Sequence, residues 1–224
     1  MYNFDMERPT SIADATAALG AEDAQALGGG QTLIPTLKQR LASPSKLVSL
    51  SGIPEMQGVC TNDAGELCIG GATTHGTVAE QASAYPALAA LAANIGDPAV
   101  RNRGTIGLFT TALDEGEIIT EVRFPVPQAA NYQKFEQPAS RFALVGVFVA
   151  KTADGVRVAV TGASEDGVFR WTAAEDALAG NFSASAIEGL APAADGMIGD
   201  LHGTPAYRAH LVGVMTRRAV EAAK

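Results

Sequence analysis

The sequence predicts an α+β protein in two parts, an N-terminal part of α/β texture and a smaller C-terminal part with an antiparallel sheet and helices. Three observations predict this. The first fifty residues read strand, glycine loop, helix, strand, which is the order of an α/β unit. After Leu108 the texture turns to β, with apolar runs punctuated by Pro125-Val126-Pro127 and Asp154-Gly155. The chain then closes in one long helical stretch over 205–223. The natural division lies near 108–114, giving domains 1–110 and 111–224.

The elements follow in order. Ile12 to Leu19 is Ala-rich; Thr10 or Ser11 can cap it as a helix and Gly20 can end it. Ala26-Leu27 is a short buried strand ahead of Gly28-Gly29-Gly30-Gln31-Thr32. Leu33, Ile34, Leu37 and Leu41 give a helix over 33–41 with one buried face, and Pro35 suits its first turn. Leu47 to Leu50 is a second strand. Cys60 and Cys68 sit on the two arms of a hairpin turned at 62–65. A loop at 70–75 leads to a helical region over 78–94, broken near Pro86. A loop-like run over 96–107 follows. Strands are expected at 117–124, 132–135, 143–151 and 156–161, with Asp154-Gly155 turning the last pair. Short helices at 173–178 and 185–190 precede the closing one. Phe169 and Trp171 read as core residues at a strand edge.

Composition excludes several classes. Of 224 residues, 47% are apolar and 18% charged, enough to bury a core and unlike a disordered chain. A net charge of −8 without a Lys/Arg run gives no general attraction to nucleic acid or anionic lipid. Cys60 and Cys68 read as two small apolar residues in a reduced compartment. There is no CxxC and the three histidines lie far apart, so no metal site is expected. The opening 1–9 has acidic residues and no apolar core, so no signal peptide is expected; nor is a membrane span, and the expected location is cytoplasmic. No Ser/His/Asp or Cys/His set has catalytic logic.

The glycine loop is the most informative segment. Glycines after a strand let backbone turn tightly and approach a ligand, and a following helix aims N–H groups at that loop. Pyrophosphate is the usual occupant, and Thr32 could add a hydroxyl. On pattern alone the loop is neither GxGxxG nor a P-loop, and a tight turn without ligand stays open.

A wider pattern joins it. Leu27 to Pro35, then Lys38 to Pro44, then Leu47 to Leu50, resembles the first FAD loop of the FAD-binding medium subunits of molybdenum hydroxylases, the family typified by xanthine dehydrogenase and aerobic carbon monoxide dehydrogenase. Ile69-Gly70-Gly71-Ala72-Thr73-Thr74-His75 is similar to that family's TTH turn, and the run from Ile95 to Gly107 to its IGDPQVRNRGTIGG run, of which Arg101 to Gly107 is the entrance to the second FAD loop. Glu117 to Pro125, Tyr132 to Phe135, Pro138 to Ala143, Asp200 to Gly203, Tyr207-Arg208 and Arg217 to Ala219 resemble the family's C-terminal domain. The resemblance spans almost the whole chain in order.

The resemblance implies a vanillyl-alcohol-oxidase-type (PCMH) FAD domain followed by an α+β domain. It implies FAD as cofactor, with Gly28, Gly29, Gly30, Gln31, Thr32 and Leu33 at the pyrophosphate, and Thr74, His75, Gly104, Thr105 and Gly107 as further site residues. It implies partners too: a molybdenum-cofactor large subunit and a [2Fe-2S] small subunit. This chain has no cysteine framework for such clusters. In that arrangement the chain is an oxidoreductase subunit that relays electrons from the partner's clusters through FAD to an acceptor. One departure matters. The family continues past Gly107 through the rest of its second FAD loop, a helix and two strands, whereas Leu108-Phe109-Thr110-Thr111-Ala112-Leu113 follows directly here. Several dozen residues are missing, so a flavin-free interaction or assembly module stands as the alternative, and a domain holding another phosphorylated ligand as a third. Two further choices stay open: His75 near flavin or simply at the surface, and Arg101 and Arg103 on phosphate or bracing the loop through carbonyls. Lys134 and Arg141 read as exposed strand charges rather than flavin-edge or partner contacts.

Overall fold

The structure, a computed structural model, describes residues 1–105, 113, 114 and 116–224. Two compact units emerge, Met1–Phe124 and Pro125–Lys224. The boundary read from the sequence, between 110 and 111, falls outside the described residues.

In the first unit, β1 (Asp5–Glu7), β2 (Ala24–Leu27) and β3 (Lys46–Ser49) form a parallel sheet in the order β1-β3-β2. Helix α1 (Ile12–Leu19) starts at Ser11, whose Oγ accepts the Asp14 amide at 3.1 Å, and ends at Gly20. Its Ala15, Ala18 and Leu19 pack with Val48, Ile53 and Met56. Leu27, Leu37 and Leu47 make a second small core beneath α2 (Leu33–Lys38). That helix is shorter than the expected 33–41. Arg40 enters the left-handed region at φ 60°, the Leu41 amide returns to the Thr36 carbonyl, and Leu41 is left exposed. Strand β1 was not expected, because all three of its residues are exposed and show no alternation.

An antiparallel sheet β4-β5-β6 follows, from β4 (Val59–Thr61), β5 (Leu67–Gly70) and β6 (Glu121–Phe124). Asn62 builds the hairpin turn, its Oδ1 accepting the Ala64 and Glu66 amides. The expected helical region is two helices, α3 (His75–Gln81) and α4 (Pro86–Ala93), separated at the predicted break. The run over 96–107 contains a helix that was not expected, α5 (Pro98–Arg103), opened by Asp97 and with Pro98 in its first turn. Strand β6 places 121–124 in this unit and is shorter than the expected 117–124.

The second unit is a four-stranded antiparallel sheet, β10-β9-β8-β7, from β7 (Ala129–Glu136), β8 (Ala143–Thr152), β9 (Gly155–Ser164) and β10 (Gly167–Arg170). Gly155, at φ 124°, takes the turn between β8 and β9. Helices α6 (Thr172–Gly180) and α7 (Pro205–Ala222) cover the sheet, burying Val147, Val158, Trp171, Leu178, Val212 and Met215. The helix expected at 185–190 is a single tight turn at Ala184–Ile187. No described helix is long and apolar enough to cross a membrane.

Candidate functional site

The glycine loop leaves the C-terminal end of β2 and enters α2. It lies directly against the segment that follows α5. A Cβ at Gly29 would overlap the Arg103 carbonyl, and one at Gly28 would stand 2.7 Å from Thr105 Oγ1. Gly30 has φ 71°, a conformation that strains other residues. The Gly29 amide donates to Thr105 Oγ1 at 3.3 Å, and Gln31 Nε2 donates to the Gly29 carbonyl at 3.0 Å. The amides of Gly30, Gln31 and Thr32 have no acceptor among the described residues. Donors in this state, on backbone without side-chain cover, suit an anion.

A cleft of about 460 Å³ opens here, lined by Gly28 to Leu33 together with Gly104 and Thr105. A second cavity of about 380 Å³ touches the same three glycines from the side of Arg8, Ser49 and Ser51. The loop is thus the wall shared by two cavities. Eight of the residues named from the sequence meet in the first: Gly28, Gly29, Gly30, Gln31, Thr32, Leu33, Gly104 and Thr105. Gly107 lies outside the described residues.

Thr74 and His75 stand behind this cleft and do not line it. Thr74 Oγ1 caps α3, accepting the Thr77 amide at 3.2 Å. The His75 amide donates to the Gly104 carbonyl at 3.1 Å, and its half-buried ring would stand 3.1 Å from a Cβ on Gly104, with the Val100 carbonyl nearer still. Burial lowers the His75 pKa, so its ring is neutral near pH 7. His75 therefore supports Gly104 from behind, and Thr74 fixes the start of the helix that carries His75.

The approach segment is held locally. Asp97 Oδ1 accepts the Ala99 amide at 2.7 Å, which opens α5. Arg101 Nη1 donates to the carbonyls of Ala93 at 3.2 Å and Ile95 at 3.3 Å, tying α5 to the end of α4. This is the bracing role for Arg101. Arg103 contributes its carbonyl beneath Gly29, and its side chain is exposed. In the second unit, Lys134 is largely buried, bonded to the Arg141 carbonyl at 2.9 Å and paired with Glu136 at 3.1 Å. It is not the exposed strand charge expected from the sequence. Arg141 is exposed as expected but lies between β7 and β8 rather than on a strand, at φ 58°.

Two features escaped the sequence reading. Arg208 is buried within the second unit, donating to the Leu144 and Gly162 carbonyls and to Asp200 Oδ2, each at 2.8 Å. Cys60 and Cys68 face each other across β4 and β5, with Glu121 beside them. Counting outward from the Asn62 turn would have paired them, since a hairpin's turn sets its register.

Comparison with known proteins agrees with this geometry. Residues 2–107 match the FAD binding domain in molybdopterin dehydrogenase, and residues 130–223 match the CO dehydrogenase flavoprotein C-terminal domain. The chain is 30% identical to the carbon monoxide dehydrogenase medium chain of Afipia carboxidovorans, over 99% of this chain and 97% of that one. It is 29% identical to the nicotine 6-hydroxylase medium subunit of Paenarthrobacter nicotinovorans, over 95% and 94%. A chain of the reconstituted CO dehydrogenase from Oligotropha carboxidovorans superimposes with a TM-score of 0.82 at 27% identity, covering 98% of this chain and 96% of that one. The Afipia alignment runs over 285 positions while this chain has 224 residues, so at least 61 positions (285 less 224) have no counterpart here. With both domains matched in order and the fold shared along its length, the chain belongs to the FAD-binding medium subunits of the molybdenum hydroxylases, the family of the carbon monoxide dehydrogenase medium chain.

Proposed function

We propose that this chain holds FAD by its pyrophosphate in the cleft between Gly28–Leu33 and Gly104–Thr105, and serves as the electron-relaying subunit of a molybdenum hydroxylase complex. The single observation that carries the reading is the close approach of Gly28 and Gly29 to Arg103 and Thr105, beside amides with no acceptor of their own among the described residues. Glycine at these two positions lets the loop pack against 103–105, and the cleft beside that contact is lined by Gly30, Gln31 and Thr32, whose amides these are. The residues present therefore fit a dinucleotide pyrophosphate.

FAD, when bound, supplies the redox chemistry that links a donor of single electrons to a two-electron acceptor. The chain's own residues position it. Gly30, Gln31 and Thr32 offer amides to the phosphate oxygens. Thr105 pins Gly29, and Thr74 and His75 stiffen the start of the helix behind Gly104; Gly107 stays a proposed site residue. Iron–sulfur centres belong to a partner small subunit and the molybdenum cofactor to a large one, because two cysteines cannot ligate a cluster. The unit Met1–Phe124 serves cofactor holding and the unit Pro125–Lys224 serves assembly. The complex works in the cytoplasm.

A second reading has its own observation. The chain falls at least 61 aligned positions short of the Afipia chain (285 less 224), and if that gap lies after Gly107, where the family resemblance breaks off, it takes most of the second FAD loop. Each charge-assisted hydrogen bond lost with it is worth about 1.5–3 kcal/mol. The chain is then a flavin-free assembly module. One experiment separates the two: an absorbance spectrum of the purified chain before and after excess FAD and desalting. A flavin band that stays with the protein is the expected result. Folded protein that retains none, by circular dichroism, transfers the argument to the assembly module.

A further inference from the structure

The outer face of the sheet β4-β5-β6 carries a group of side chains that the flavin reading does not use. Cys60 and Cys68 are directly opposed in the antiparallel register, and Cys68 is directly opposed to Arg123 on the other side. Opposed residues point to the same face, and so do residues two apart on one strand, which brings in Glu121. Ligand atoms of Cys60, Cys68 and Glu121 all lie within 4.8 Å of one another. Leu67 and Ile69, which flank Cys68, are buried on the opposite face. Cys60 and Glu121 reach solvent, whereas Cys68 is shielded by its neighbours on the sheet.

We propose that Cys60, Cys68 and Glu121 form a three-ligand site for a thiophilic divalent cation of the zinc class, with a fourth position open to water. Zinc–sulfur and zinc–oxygen bonds of about 2.3 and 2.0–2.2 Å in a tetrahedron place ligand atoms roughly 3.5–3.8 Å apart. Ligand atoms within 4.8 Å of one another reach that spacing by small side-chain rotations. Arg123 Nε holds Glu121 Oε1 at 2.6 Å, which orients the carboxylate beside the two sulfurs. Two sulfur donors select zinc, cadmium or cobalt over magnesium and calcium, which take oxygen sets. Charge also balances: two thiolates and a carboxylate offset the divalent cation and the Arg123 guanidinium. Binding releases the two thiol protons to solvent, so affinity rises with pH. The site is separate from the FAD cradle, sharing none of its residues.

The test uses the full chain, reduced with a phosphine, freed of metal and titrated with Co²⁺. Expected is one equivalent of Co²⁺ with sulfur-to-cobalt charge-transfer absorption, displaced by Zn²⁺. Cys60→Ser removes an exposed sulfur at little cost to folding and abolishes that absorption. Glu121→Gln keeps the absorption and weakens binding by at least the roughly 10-fold that losing an outer-shell partner costs. Absence of charge-transfer absorption in reduced protein shown to be folded overturns the site, and so does absorption unchanged in Cys60→Ser. Recovery of the two sulfurs as a disulfide, in phosphine-free protein equilibrated with Zn²⁺, also overturns it.

Discussion

Gly29 has no room for a side chain, because the space its Cβ would take holds the Arg103 carbonyl. Gly29→Ala must therefore push the loop and the 103–105 segment apart. Overpacking of this kind costs about 1–3 kcal/mol. The first unit is expected to lose that much stability in denaturant titration, and FAD affinity about tenfold or more, since tenfold is only about 1.4 kcal/mol. Unchanged FAD retention in the variant would sink the proposed cradle. Thr105→Val is a gentler probe. It removes the acceptor for the Gly29 amide and keeps the shape, so a loss of about 0.5–1.5 kcal/mol is expected. At this scale much was legible: three consecutive glycines after a strand announce close backbone approach. What they approach was not legible, because residues 29 and 103 are far apart in the chain and no local rule joins them. The opposed cysteines were local, yet they were read as composition rather than as register.

Helix α5 carries the segment that closes the cradle, and its N-terminus rests on Asp97. Asp97→Ala is expected to cost about 1 kcal/mol of stability, the usual worth of an N-cap. It should also weaken FAD binding measurably, since Gly104 and Thr105 follow α5 directly; calorimetric titration would check this. Asp97-Pro98 lies in the run expected as loop-like over 96–107, although an acidic cap followed by proline also opens a helix. Strand β1 was hidden for the opposite reason: its pairing with β3 is made by backbone, and its side chains leave no periodic trace. In the second unit, α7 is anchored by Arg208 on the carbonyls of Leu144 and Gly162. Arg208→Met strands both carbonyls, at about 1–3 kcal/mol each. Chemical denaturation should show that loss, and a variant as stable as the parent would remove Arg208 from the account of this core.

Each unit has a core of its own, one around Val48, Ile53 and Met56 and the other around Val147, Val212 and Met215. The antiparallel sheet of the second unit was visible as a pattern of apolar runs, because its strands pair with their neighbours in sequence, whereas in the first unit β1 joins β3 and β5 joins β6 across long stretches of chain. Two cores predict two unfolding transitions, and ligands acting on different units should move different ones. FAD binds only the folded first unit in the proposed scheme, so excess FAD raises that transition alone, by mass action. Acid acts on the second unit. Burial by itself would raise the Asp200 and Glu175 carboxyls. The Arg208 hydrogen bond and the His202 and Gly203 amides overcome this for Asp200, and Arg170 and the Val158 amide do so for Glu175. Both pKa values lie below the ordinary carboxylate range when folded. The stability they contribute is therefore present above the unfolded carboxylate value and is lost as pH falls through and below it. Differential scanning calorimetry between pH 7 and about pH 3, with and without FAD, should show one transition that follows FAD and another that weakens with acid through these two carboxylates. The variants assign them: Arg208→Met lowers the acid-sensitive transition, and Gly29→Ala lowers the one that follows FAD. Should FAD shift the transition that Arg208→Met lowers, the cofactor is held elsewhere than at the glycine loop.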